Sequence, residues 1–246
     1  MRIHELLFEL SNPARLKILS ILQEDTMKLS HVSKKLNMST PETSRHLERL
    51  TNVRLVEKKA DGLYRITPFG NLILLFIPAI DFLSGNIGYF NTHDLSPIPL
   101  ELLRRIGELS EAEIKTGAME LFHDAEKSFS EAEEYIWILT NQILMSSLPI
   151  LEKQVRKGVE FKVILPRNYR PPPESKSMKE MGIQVRVLDD VRIILALTEK
   201  DSGVLFPGVD GKIDYSTGIS GSEPGVHGWI KDLFEYYWNK ATPIRV

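Results

Sequence analysis

The chain has 246 residues, 42% apolar and 26% charged, which is enough to bury one large core or two small ones. Its formal net charge of −2 carries no whole-chain signature of a nucleic-acid binder, and the absence of cysteine excludes disulfides, thiol catalysis and thiolate metal sites. That average conceals a split: residues 1–75 hold 12 Lys and Arg against 8 Asp and Glu, leaving −6 on the remainder.

The opening, MRIHELLFELSNPAR, meets charge too early for a signal peptide, and the composition fits a cytoplasmic protein. In NPARLKILSILQ, residues 12–23, Leu16, Leu19 and Leu22 recur at helical spacing, with Ile18 and Ile21 widening the face. Asn12 caps this helix and Pro13 suits its first position. A second helix is predicted at 29–36, capped by Ser30, with Val32 and Leu36 facing one way. NMS then breaks the chain before a third helix.

That third helix lies in MSTPETSRHLERL. With Thr40 as cap, Pro41 stands at N1; with Ser39 as cap, Glu42 stands at N3 of a capping box. Leu47 and Leu50 face a core, while Thr43, Arg45, His46 and Arg49 lie on or near the outward arc. His46 is read either as a contact residue or as half-buried packing, and His31 as a surface residue. LVEKKADGLYRITPFG follows as two short strands around an Asp61-Gly62 turn, then a helix capped by Thr67 with Pro68 at its first position.

Helix, helix, tight turn, helix and basic hairpin describe a winged helix-turn-helix: α-helices with a β wing. Such a helix offers its N-terminal residues to base edges in the major groove, and Arg45 has the fork that reads guanine. The expected contacts are Ser39, Thr40, Thr43, Ser44, Arg45, His46 and Arg49 on the helix, and Arg54, Lys58, Lys59 and Arg65 at the wing. A winged helix serving as a protein–protein adaptor is the alternative.

Residues 12–70 resemble the winged domain of archaeal and bacterial ArsR-type repressors, most specifically in Ser-Arg-His-Leu at 44–47 standing ahead of LVEKK. The resemblance implies sequence-specific binding of double-stranded DNA by a homodimer, with helix 41–51 as the recognition helix. Arg54 holds a slot that is usually Gly in that family, so either the turn differs or Arg54 contacts phosphate. The metal-sensing members use cysteines, so sensing of that kind is not expected, and no metal or other cofactor is implied.

NLILLFIPAIDFLSG, 71–85, is too short to span a bilayer and is interrupted by Asp81, so no membrane partner is expected. Residues 68–83 read as one apolar helix bent at Pro78, whose preferred use is dimerisation. The organisation is then 1–70 winged domain, 71–110 linker and dimerisation helices, and 111–246 an α/β effector or partner-binding domain with a mixed sheet. In that half AMELFHDAEKSFSEA and 146–158 read as helices, and YIWILT, VEFKVILP, IQVRVL, RIILALTE, SGVLFPG and KIDYSTG as strands. RNYRPPPESKS reads as a loop, SMKEMG as a short helix, LDD at 188–190 as a hairpin turn, and STGISGSEPG as a flexible loop able to cradle a small anion. HGWIKDLFEYYWNKA closes the chain as a helix docked through Phe234, Tyr237 and Trp238.

This half resembles the effector domain of archaeal methanogenesis-type regulators of the FilR1 family, through YFNTHDLSPIPLELLRRIGEL and WIKDLFEYYW. The resemblance implies a fold like part of the phospholipase D superfamily, whose His-x-Lys motif is missing: none of the six histidines has Lys two residues on. No enzyme is expected. The domain would instead sense a small-molecule or protein effector. His93 and Asp94 are adjacent but have no placed nucleophile beside them, so no catalysis is expected there.

Overall fold

The computed structural model describes residues 1–170 and 182–243, which form two units, Met1–Pro78 and Ala79–Val246. The expected helix SMKEMG and most of the proline-rich loop lie outside the described residues.

The first unit opens with helix α1 (Ile3–Leu10), which the sequence reading left unassigned, and continues with α2 (Pro13–Glu24) and a two-residue strand β1 (Met27–Lys28). Asn12 accepts from the Arg15 N–H at 3.1 Å, so the α2 cap forms as its sequence demands. Helix α3 runs Leu29–Lys35 and begins at Lys28 without a side-chain cap. Ser30 therefore lies inside the helix, a correction to its expected role. Asn37 takes a left-handed φ of 52°, a conformation Asn tolerates, and turns the chain into α4 (Thr40–Asn52). Strands β2 (Val56–Lys58) and β3 (Leu63–Ile66) form the hairpin, and β1 adds to it in the order β1-β3-β2. Leu19, Val32, Leu47, Leu50 and Leu55 share one fully buried core.

Thr67 caps α5 (Pro68–Leu74), accepting from the Gly70 N–H at 2.9 Å. Gly70 is needed for contact: a Cβ there would stand 2.3 Å from the Leu55 carbonyl oxygen. The expected single helix over 68–83 is two, α5 and α6 (Ile77–Gly85), separated at Leu75 and Phe76 just before Pro78. The apolar stretch Pro68–Gly85 runs through both helices. Its 18 residues have a mean hydropathy of 1.5, a length and composition able to cross a membrane, and only 11% of the stretch is buried.

The second unit does not wait until residue 111. Helices α7 (Ile87–Thr92) and α8 (Leu100–Leu103) and a 3-10 turn at Ile106–Leu109 place Tyr89, Ile98, Leu102 and Leu109 in its core. The expected linker over 71–110 is thus divided, and residues 79–110 are structural members of the second unit. The chain continues as β4 (Glu113–Thr116), α9 (Ala118–Glu131), β5 (Tyr135–Leu139), α10 (Leu148–Arg156), β6 (Glu160–Pro166), β7 (Gln184–Leu188), β8 (Ile194–Thr198), β9 (Ser202–Leu205), β10 (Thr217–Gly221), α11 (Pro224–Lys240) and β11 (Thr242–Pro243). Among the described residues, eight strands make one mixed sheet, β11-β7-β6-β5-β8-β9-β10-β4, parallel from β7 through β5 and antiparallel elsewhere.

Side-chain alternation divides this sheet between two layers. Trp137, Leu139 and Ile164 join the core under α11, whereas Ile136, Ile138, Phe161 and Val163 join the one under α9 and α10. Phe234 is fully buried and stacks between Trp137 and Trp238, with ring centroids 5.2 and 5.7 Å apart. The aromatic stripe of α11 is therefore core, as its spacing suggests.

Three expectations fail here. LDD is no hairpin turn: β7 pairs with β6 and β11, β8 pairs with β5 and β9, and the segment between them crosses over. KIDYSTG is no strand before Thr217, its Ile213 making only a lone bridge to Pro207. STGISGSEPG is not a flexible loop, because Thr217–Gly221 is β10, hydrogen-bonded between β9 and β4. A Cβ at Gly218 would meet Leu205 Cδ2 at 2.4 Å, so the glycine that suggests a loop is what lets these strands pack.

Candidate nucleic-acid interface

Ser39 settles the start of α4: its side chain accepts from the Glu42 N–H at 3.4 Å, and Thr40 and Pro41 are the first two helical residues. The front is exposed at Ser39, Thr40, Pro41, Ser44, Arg45 and Glu48. Positions 41, 44, 45 and 48 make one helical stripe. Glu48 belongs to it and is not among the expected contacts, although its three-residue spacing from Arg45 is the available signal. A carboxylate there can accept from a cytosine amine.

Three of the expected contact residues are not free on that stripe. Thr43 is fully buried, and its hydroxyl donates to the Ser39 carbonyl at 2.9 Å, which places it in the core rather than on the outward arc. His46 is half-buried, its Nδ1 has no hydrogen-bond partner and its Nε2 lies 4.0 Å from Glu42. Arg49 is turned back onto α1, donating to both carboxylate oxygens of Glu9 at 2.9 and 2.8 Å. Glu9 in turn takes Arg15 at 3.1 Å, while Arg15 also donates to the Glu9 and Phe8 carbonyls at 2.6 and 2.8 Å. The network clamps α1 and α2 to α4. The hydrogen bond from Arg49 holds the Glu9 carboxyl below its ordinary pKa, with the Arg15 charge helping.

Desolvation pushes the His46 imidazole below its ordinary pKa, and the cations Arg15, Arg45 and Arg49 push it further, against Glu42. His46 is then neutral at pH 7 and is no cation for a phosphate. Because its folded pKa is depressed, the unfolded chain takes the proton first. Its stabilising effect is complete above the unfolded value of about 6.5 and falls as pH drops below it. The expected outcome is a melting temperature lowered between pH 7 and pH 5, by a smaller amount in His46→Gln; equal drops in the two proteins would remove His46 from the explanation.

On the wing, register places Glu57 opposite Arg65, and the two form an ion pair. Lys58 is exposed and lies 5.5 Å from the Tyr64 ring; Lys59 is half-exposed beside the turn. Gly62 closes that turn at φ +80°, its N–H donating to Lys59 at 3.0 Å. Arg54 has φ +59°, the left-handed conformation that favours glycine. The turn therefore keeps its shape and arginine bears the strain, with the Arg54 side chain exposed and its carbonyl taking a 2.7 Å bond from Thr67. Arg54→Gly should raise stability by about 0.5–1 kcal/mol in urea denaturation while weakening DNA binding. A variant improved in both would deny Arg54 any contact role.

Residues 12–58 match the family described as bacterial regulatory protein, arsR family. The N-terminal region is an ArsR-like winged helix-turn-helix domain. Domains of this type serve DNA-binding regulation. Over 95% of its length the chain is also 21% identical to the methanogenesis regulatory protein FilR1 of Methanothrix harundinacea (strain 6Ac), and it spans 56% of that relative's length. Its C-terminal unit is thus weakly FilR1-like. These two sequence matches are to regulatory proteins rather than to enzymes. Among solved structures, an archaeal chromatin protein, TrmBL2, aligns with 95% of this chain and 94% of its own at 17% identity and a TM-score of 0.46. The phospholipase D family member Nuc from Salmonella typhimurium aligns with 55% of this chain and 99% of its own, at 11% identity and a TM-score of 0.43.

His93 and Asp94, adjacent in sequence, separate in space. His93 is buried, stacked on Tyr89 with Nε2 3.1 Å from Asp214, whereas Asp94 binds Arg192 at 2.7 Å. Among the described residues, no three His, Asp or Glu side chains stand together as a metal site.

Proposed function

We propose that this chain is a sequence-specific, DNA-binding transcription regulator, cytoplasmic and homodimeric, whose C-terminal unit senses a ligand or partner. The observation that carries the reading is the exposed front of α4, where Thr40, Ser44 and Arg45 project from a helix whose two leucines are turned inward. Ser39, Thr40, Ser44 and Arg45 reach the major groove; Arg54, Lys58 and Lys59 meet backbone phosphates. Thr43, His46, Arg49 and Arg65 support the interface from behind, through the core, the α1 clamp and the wing pair. The mixed sheet, read as a phospholipase D-like scaffold without its catalytic motif, holds the effector. Selection from a randomised duplex pool tests the proposal: an enriched two-fold motif supports it. Recovery of no motif favours the adaptor reading, for which the exposed Glu48 and the neutralised Arg49 and Arg65 speak.

The homodimer is assigned to α5 and the two residues that follow it. Leu72, Leu75 and Phe76 are 58%, 68% and 65% exposed, an apolar strip that water does not favour. A second copy of the strip would cover it and bring two winged domains to two half-sites. Leu75→Glu with Phe76→Glu should convert a dimer to a monomer in sedimentation velocity, and a wild-type chain that sediments as a monomer would end this assignment.

A further inference from the structure

Helix α9 lies over β8, β10 and β4, and the packing beneath it is incomplete. A cavity of about 100 Å³ remains there, walled by apolar side chains that include Leu121, Phe122, Ala125, Phe129 and Leu205. Protein cores are close-packed, so a void of this size under a helix is a feature in need of a use. Ser220 contributes a buried hydroxyl with no hydrogen-bond partner to its wall, and a polar group in that state costs stability until something bonds to it.

The cavity adjoins a wider polar cleft of about 420 Å³, and the two share Lys115, Asp124, Ser128, Asp201 and Ser220. Six carboxylates line that cleft, Glu111, Glu113, Asp124, Glu131, Asp201 and Glu223, against three lysines. Two of the lysines are already engaged, Lys115 with Asp124 at 2.7 Å and Lys200 with Glu133 at 2.6 Å. Among the described residues Glu111, Glu113, Glu131, Asp201 and Glu223 make no ion pair. The mouth is therefore acidic, and it repels the small anion that the Gly/Ser run 216–225 had suggested.

We infer that this cavity binds a small amphiphilic amine, its short alkyl body beneath α9 and its ammonium group at the mouth, between Asp201 and Glu113 and donating to the Ser220 hydroxyl. About 150 Å³ suffices for a benzene ring, so the space suits a chain of a few carbons rather than a fused ring system. The inference deepens the ligand-sensing reading of the C-terminal unit and rests on it for its biological use, although binding itself does not depend on it.

The test titrates the full chain with n-butylamine, 1-butanol and n-butanoate by calorimetry. Saturable binding of butylamine at about 1 mM or tighter is expected, with butanol about tenfold weaker or worse and butanoate not bound. Ala125→Leu fills the cavity and should abolish binding of the amine and the alcohol. Asp201→Asn, which keeps the acceptor for the Ser202 N–H seen at 2.8 Å, should weaken butylamine about tenfold and leave butanol unchanged. The second variant decides the matter if the first does not fold. Equal affinities for the three compounds, or butylamine binding indifferent to Asp201→Asn, would overturn the site and leave the DNA reading intact. Binding as expected with no change in duplex affinity upholds the site and removes the claim that it senses for DNA.

Discussion

Arg45→Ala is expected to lower affinity for the selected duplex by about 1–3 kcal/mol, a factor of about five to 150, and to relax the preference at one base pair in each half-site. Of the arginines on α4, Arg45 is exposed and outside every ion pair among the described residues, whereas Arg49 is spent on Glu9. Its fork can therefore offer two donors to a guanine edge without first breaking an internal bond. The comparison that gives the result meaning is Lys58→Ala, which removes a proposed phosphate contact. That variant should weaken all duplexes alike and reduce the dependence on salt by about one unit of slope. Both variants should melt as the parent does. Competition binding against single-base variants of the duplex, at fixed salt, reads both effects. A uniform loss in Arg45→Ala would reassign that residue to the backbone.

Glu9→Gln should destabilise the first unit by about 3 kcal/mol, a large part of the 5–15 kcal/mol of a typical domain. The reason is the asymmetry of buried charge. The side chain of Arg15 is 6% exposed and that of Glu9 10%, so loss of the carboxylate leaves a guanidinium buried with only carbonyl partners. Arg49, at 45% exposure, contributes less because water screens it. The pH dependence has the same origin. With its folded pKa depressed, Glu9 contributes stability that is present above its unfolded pKa of about 4.5 and is lost as pH falls through the folded value. Urea denaturation of the full chain from pH 7 to pH 3 should show a steeper acid loss in the parent than in Glu9→Gln. Parallel curves would make the network a surface feature without consequence. Because α1 is held to α4 by this carboxylate, the variant should also blunt DNA binding indirectly, and high duplex concentration should restore part of its stability by mass action.

Much of this protein could be read without coordinates. The caps at Asn12 and Thr67, the Asp61-Gly62 turn and the inward leucines of α4 are local facts, decided within a few residues of chain. They determined the winged helix-turn-helix, and the alternation of apolar strands with helices determined a mixed α/β sheet later in the chain. Elements with poorer signals are not legible: α1 starts after Arg2, not one of the usual capping residues, β1 has two residues, and β10 is rich in glycine. Their existence depends on partners distant in sequence.

The candidate interface divides in the same way. That a helix with Ser44 and Arg45 at its front follows a tight turn is written in the sequence. Which polar residues remain free to touch a ligand is not. Thr43 is drawn inward by the Ser39 carbonyl, Arg49 by a carboxylate 40 residues earlier, and Arg65 by the residue that strand register sets opposite it. A charge is available to a partner only after the fold has spent the others. That accounting is made by tertiary contacts across long separations in the chain, which periodicity and spacing do not encode.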